Sequence, residues 1–167
     1  MIDSSPERWV PAYIGIGSNL QNPIAQVERG FDALAGLPSS LLIARSPLYK
    51  SAPLGPQNQP AFINAAAGIL TQLAPERLLQ ALKQLEADLG RTLPIERWGP
   101  RIIDFDLLVY GDLRLVSTHL TIPHPGIPER AFVVYPLRDI APDLDIPGMP
   151  RLADLARRAV WTGIERL

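Results

Sequence analysis

Two aspartates, Asp104 and Asp106, stand two residues apart in the run Ile102–Tyr110, which is otherwise β-branched, aromatic and apolar and holds no Gly or Pro. Such a run reads as a strand. Asp is depleted in strands, and an unpaired carboxylate is costly to take out of water. Side chains alternate along a strand, so both carboxylates share one face, with Cα atoms about 6–7 Å apart. Like charges at that spacing shift each other's pKa unless a cation lies between them. A Mg²⁺ ion held by one or two carboxylates and completed by substrate phosphates is such a cation. Three arginines, Arg91, Arg97 and Arg101, precede the strand in "RTLPIERWGPR". Arginines and a carboxylate-held metal around a polyphosphate are the parts that phosphoryl transfer uses. No Gly-Lys-Ser or Gly-Lys-Thr occurs, so a nucleotide site here would not be a P-loop. The plainer alternative is a solvated sheet face with internal salt bridges.

Composition narrows the setting. At 167 residues, 47% hydrophobic and 20% charged, the chain has the make-up of one soluble domain, residues 1–167, with a real core. A net charge of −1 gives no broad basic surface for nucleic acid. There is no cysteine, hence no disulfide and no thiolate chemistry. No apolar run reaches the length of a membrane span. "MIDSSPERWVP" lacks the basic start and apolar stretch of a signal peptide, so a cytoplasmic protein is expected. Lys50 and Lys83 are the only lysines, and Arg is the better bidentate partner for phosphate.

The elements that must position the aspartates follow from punctuation and periodicity. "AYIGIGSNL" opens as a strand and breaks at Gly17-Ser18-Asn19. Asn22 can cap a helix that starts at Pro23, with Ile24, Val27, Phe31 and Leu34 on its apolar face and Gly36 as its stop. Leu41 to Lys50 reads as a second strand disturbed by Pro47, and Phe62 to Thr71 as a third. A second helix runs from Pro75 to Gly90, with Leu78, Leu82, Leu85 and Leu89 as its stripe. On the aspartate strand, Ile103, Phe105, Leu107 and Val109 should face the helices. Ile102, Asp104, Asp106, Leu108 and Tyr110 should face away. Leu113 to Val116 reads as a short return strand. Seven prolines between Pro123 and Pro150 predict shaped loop and short helix, and "RLADLARRAV" a final helix. The order is that of an α+β, ferredoxin-like βαββαβ antiparallel sheet. Both main helices lie on one face, and a proline-rich C-terminal extension follows. The other face is left for a ligand.

"RWGPRIIDFDLLVYG" resembles the signature of the 6-hydroxymethyl-7,8-dihydropterin pyrophosphokinases, close to R-W-G-P-R-x-[IL]-D-[IL]-D. "AYIGIGSNL", "YKSAPLGPQNQPAFINA" and "IPHPGIPERAFVVYPL" resemble further segments of that family in the same order, over nearly the whole chain. The resemblance implies transfer of pyrophosphate from ATP to the hydroxymethyl group of a reduced pterin, releasing AMP, in folate biosynthesis. It implies Asp104 and Asp106 as ligands of two Mg²⁺ ions, with Arg91 and Arg101 promoting transfer. Lys83, Glu86, Arg97, Arg101, His124 and Arg130 would border the nucleotide. Phe62 and Phe132 would sandwich the pterin, and Asn64 would read its edge. Gly17, Ser51, Ala52 and Leu54 would complete the pocket, and Trp98 would close over it in a loop shared with Arg97. The partners implied are ATP and the pterin, with no nucleic acid and no membrane, acting on a monomer. Ser51 stands where Thr is common in the family, and Gly126 and Pro128 where many members place a basic residue and His. Two rivals stand beside this reading. An RNA-binding sheet would want a basic face and not two acids, and a Mg²⁺-dependent hydrolase would need open access for water.

Overall fold

The computed structural model describes residues 8–91, 99–160 and 162–167. Its frame is β1 (Val10–Ser18), α1 (Pro23–Ala35), β2 (Ser40–Arg45), β3 (Tyr49–Ser51), β4 (Phe62–Thr71), α2 (Pro75–Asp88) and β5 (Asp104–Tyr110). A small hairpin of β6 (Leu115–Val116) and β7 (Thr121–Ile122) follows, then α3 (Ala131–Ile140), α4 (Leu152–Arg158) and β8 (Ile164–Arg166). The main sheet is antiparallel, in the order β5-β1-β4-β3-β8, with β2 also paired to β4.

Local chemistry sets the helices. Asn22 caps α1 in a left-handed conformation (φ 63°), its side chain accepting from Ala25 N at 3.5 Å, and Pro23 opens the helix. Val27, Phe31 and Leu34 of α1 and Leu78 and Leu82 of α2 are buried in one cluster with Ala12, Ile14 and Ile16 of β1 and Ile103, Phe105 and Leu107 beside them. Both helices therefore lie on the same face. A Cβ on Gly30 would meet Ile103 and Ile16 at 3.3 Å, so α1 approaches the sheet closely there. Each such fully buried Leu or Phe contributes roughly 1.5–3 kcal/mol through its apolar area.

Several elements differ from the sequence expectation. The second strand is two pieces, β2 and β3, on either side of Pro47, which has no N–H for a ladder. Ser46 bridges the gap: its N–H donates to Ala66 O and its Oγ accepts from Ala66 N. The return strand pairs β6 with β7 and not with β5. The opposite sheet face is not left open along its length. α3 packs Val134, Tyr135 and Leu137 there against Tyr49, Leu108 and Val109.

The alternation expected on β5 also fails at one point. Leu107 pairs with Ile14 and Val109 with Tyr13, which leaves Leu108 as an extra residue, a β-bulge. Beyond it the faces exchange. Val109 joins Leu108 under α3, and Tyr110 turns to the α1–α2 side. The bulge lies beyond the aspartates, so Asp104 and Asp106 keep the common face expected of them.

Candidate active site

What α3 leaves uncovered is one end of that second face. The register puts Gly17 between Asp104 on β5 and Asn64 on β4, and Gly15 opposite Asp106. Tyr49 pairs with Asn64 and Ser51 with Phe62 on the far side. Two glycines at the centre of a strand floor are costly to backbone order but keep that floor low. A Cβ on Gly17 would sit 3.2 Å from Asn64 Oδ1. The result is a cleft of about 320 Å³ over the glycines.

One end of the cleft is built for a flat polar ring. Phe62, at the start of β4, and Phe132, in the first turn of α3, both line it, with Ala52, Leu54 and Val133. Asn64 is buried, and its Nδ2 donates to Ser51 Oγ at 2.7 Å. That bond fixes which edge of the amide is offered to the cleft. Ser51 is held in turn through Tyr49, whose ring stacks on Tyr135 of α3 at 6.4 Å and whose hydroxyl donates to Asp139. Burial first, then the bond to Asp139, push the Tyr49 hydroxyl up to about 12, so it remains a donor.

The other end is charged. Arg91 Nη1 lies 2.8 Å from Asp104 Oδ1, and Arg101 Nη1 lies 3.1 Å from Asp104 Oδ2. Arg91 also pairs with Glu86, buried on α2. Asp106 has no ion pair among the described residues. Burial first, then the neighbouring Asp104, push its carboxyl up to about 7, against the pull of Arg130, Arg101 and Arg91. His124 also lines the cleft, and its Nδ1 accepts from Gly126 N at 3.0 Å. Burial and then Arg130 lower its pKa, with Asp104 opposing. The neutral ring therefore carries its proton on Nε2, as a donor. A Cβ on Gly126 would meet the Arg130 guanidinium at 2.8 Å, so a larger residue there would have to displace that side chain.

The structure brings together twelve of the residues that the sequence singled out: Gly17, Ser51, Ala52, Leu54, Phe62, Asn64, Arg101, Asp104, Asp106, His124, Arg130 and Phe132. Arg91 and Glu86 stand behind the cleft wall, tied to it through Asp104. Lys83 is exposed on α2 and is not among the cleft residues. Arg97 and Trp98 lie outside the described residues. Gly15, Ile16, Ala65, Gly99 and Val133 also line the cleft and were not anticipated. Gly15 was legible, being two residues from Gly17 on the same strand face.

The donor set fits a divalent cation of the magnesium kind only in part. Among the described residues no three His, Asp or Glu side chains converge. Two carboxylates do, and one of them, the half-buried Asp106, has no ion pair among the described residues. Mg²⁺ commonly takes one or two carboxylates and fills its octahedron with water and substrate phosphate oxygens. Both oxygens of Asp104 are engaged by arginines, so Asp106 is the freer ligand. No helix among the described residues is long and apolar enough to cross a membrane.

Comparison with known proteins converges on one family. A family model described as 7,8-dihydro-6-hydroxymethylpterin-pyrophosphokinase (HPPK) matches residues 13–142. A 2-amino-4-hydroxy-6-hydroxymethyldihydropteridine pyrophosphokinase of Pseudomonas aeruginosa is 46% identical over 155 residues, covering 93% of this chain and 95% of that protein. A protein of the same name from Haemophilus influenzae is 41% identical over 149 residues, covering 89% and 92%. Among solved structures, a Plasmodium falciparum HPPK-DHPS variant with pterin and p-hydroxybenzoate superposes with a TM-score of 0.74 at 12% identity. That match covers 98% of this chain and 48% of the Plasmodium chain, a likeness of fold.

Proposed function

The chain belongs to the 7,8-dihydro-6-hydroxymethylpterin-pyrophosphokinase family, and from that premise we propose how its cleft divides the work. The enzyme transfers pyrophosphate from ATP to 6-hydroxymethyl-7,8-dihydropterin, releasing AMP, in folate biosynthesis. The pterin lies between Phe62 and Phe132, with its edge against Asn64 and Ser51 and its rim against Gly17, Ala52 and Leu54. The triphosphate lies toward Arg101, Arg130 and His124. Arg91 and Glu86 keep Asp104 in place from behind. Lys83 is at most a peripheral contact of the nucleotide, and Arg97 and Trp98 keep the roles that the family resemblance implies for them, toward the nucleotide and the pterin.

Asp104 and Asp106 would hold Mg²⁺, which would neutralise phosphate charge and polarise the phosphoryl centre when bound. The protein's own contribution is placement and charge. The hydroxymethyl oxygen of the pterin attacks the β-phosphorus, the bond from that phosphorus to the α-phosphate bridge oxygen breaks, and AMP leaves with the electron pair. The hydroxyl proton is lost to the surroundings. Arg101 and Arg130 offset the charge that spreads over the phosphate oxygens, and a neutral His124 donates from Nε2. A water-excluding cleft favours the pterin oxygen over water as the acceptor of the pyrophosphoryl group. We read the sheet as ferredoxin-like, residues 1–167 as one domain, and the protein as a cytoplasmic monomer. The strand order β5-β1-β4 with β2 and β3 on β4 supports the first of these.

One observation carries the assignment of the ends: an aromatic–amide end and a two-carboxylate, two-arginine end meet in one cleft. Incubating the protein with Mg-ATP, with and without the pterin, and separating the nucleotides tests it. AMP formed only with pterin, with pyrophosphate on the pterin, is expected. ADP as the main product, or ATP loss without pterin, would overturn the reading.

A further inference from the structure

Asn19 is the first residue after β1 and is 1% exposed. It is not among the residues lining the cleft. Its side-chain amide is instead fully committed to two distant stretches of the chain. Nδ2 donates to Gln59 Oε1 and to Pro60 O, both at 3.0 Å. Oδ1 accepts from Arg101 N at 2.8 Å, and the Asn19 N–H donates to Arg101 O at 3.0 Å.

These two stretches serve opposite ends of the cleft. Gln59 and Pro60 close the loop that carries Ala52 and Leu54 and lead directly into Phe62. Gln59 also donates to Pro56 O at 3.0 Å, which extends the ordered segment back into that loop. Arg101 lines the cleft and pairs there with Asp104. One buried amide thus joins the backbone of the ring-binding end to the backbone of the charged end. Hydrogen bonds of this kind cannot lengthen by much without leaving a buried donor unpaired, which costs more than the bond itself is worth. A ligand that orders one stretch therefore orders the other, and the second ligand has less ordering left to oppose it.

Resting on the division of the cleft given above, we propose that Asn19 is a positioning residue that couples pterin binding to nucleotide binding without touching either substrate. A purely structural role would lower stability and weaken both ligands alike. A coupling role removes the mutual enhancement and spares the separate affinities.

Calorimetry on the full chain with Mg²⁺ separates these. The ligands are 6-hydroxymethyl-7,8-dihydropterin and α,β-methylene-ATP, whose carbon bridge blocks transfer. In the wild type each ligand should tighten the other by on the order of ten-fold, within the usual range for coupled sites. Asn19→Ala should keep each separate affinity within about three-fold and reduce the mutual enhancement to below about three-fold. Gln59→Ala, which removes one of the four bonds and leaves Asn19 in place, should show a partial loss. It also decides the matter if Asn19→Ala does not fold by circular dichroism. Full coupling in the variant that folds overturns the proposal, as does a drop in both separate affinities with coupling intact. A wild type that binds both ligands without enhancement overturns the coupling role alone, whereas one that fails to bind pterin overturns the functional assignment.

Discussion

The two ends of the cleft differ in how far the protein completes them by itself. At the ring-binding end the polar side chains are held in place by protein partners: Asn64 donates to Ser51, and Tyr49 behind them donates to Asp139. At the charged end the compensation is uneven. Asp104 has two arginines, while Asp106 has no ion pair among the described residues and its carboxyl is pushed up to about 7. A half-buried acid two residues from another acid is expensive, and packing does not repair it. The first end is preorganised, and the second is balanced only when positive charge arrives with the substrate. The largest expected effect therefore lies at Asp106. Asp106→Ala should lower kcat by roughly 10³-fold, since losing charge stabilisation worth several kcal/mol costs a factor of ten per 1.4 kcal/mol. Ring binding should be nearly unchanged. A variant that retains most of its turnover would remove the distinction between the ends.

Arg101 sharpens the same contrast. It serves the charged end directly, so Arg101→Ala should slow turnover by about 10²–10³-fold, the scale of one preorganised donor in the transition state. Arg91 acts through Asp104 and Glu86 from behind the wall, so Arg91→Ala should cost less. Single-turnover rates at saturating substrates give the comparison. Equal losses would place Arg91 in contact with the phosphates.

At the other end, Phe62→Ala or Phe132→Ala should weaken pterin affinity by about 1–3 kcal/mol, the scale of losing one stacked aromatic face. Nucleotide affinity should move little. Equal weakening of both ligands would mean that these rings hold the fold and not the pterin.

How much of this was legible in the sequence depended on the range of the interaction. The Asn22 cap and Pro23 start of α1, the Pro75 start of α2, most of both stripes and the shared face of Asp104 and Asp106 follow from spacings of two to four residues and were readable, whereas Ile24, expected on the apolar face of α1, is exposed, and Glu86 is buried on α2. The bulge at Leu108 was not, because a single extra residue leaves no trace in the apolar pattern. α3 was hidden by its own Pro136, which reads as a helix breaker inside a proline-rich stretch. The pairing of Asp104 with Arg101 is local, three residues apart. Asn19, by contrast, reaches across 40 residues to Gln59 and 82 to Arg101, so nothing near it in the chain announces its role.

The smallest expected effect concerns the two aspartates in the absence of metal. A simple repulsion argument predicts that removing either one stabilises the protein. The geometry separates them. Asp104→Ala strips Arg91 and Arg101 of their shared partner, so it should lower the melting temperature. Asp106→Asn removes an acid with no ion pair among the described residues. Its folded pKa, about 7, lies above the ordinary 3.8, so the folded state binds more protons between those values. Wild-type stability from this group is then full below about pH 4, declines as the pH rises toward 7, and is flat beyond. Asp106→Asn lacks that decline. Melting in chelator at pH 5 and pH 8 should show Asp106→Asn gaining on the wild type by a few degrees at the higher pH, at about 2–4 °C per kcal/mol for a chain of this size. A gap that is constant across pH, or that widens toward pH 5, would show that Asp106 is not the uncompensated charge of the cleft.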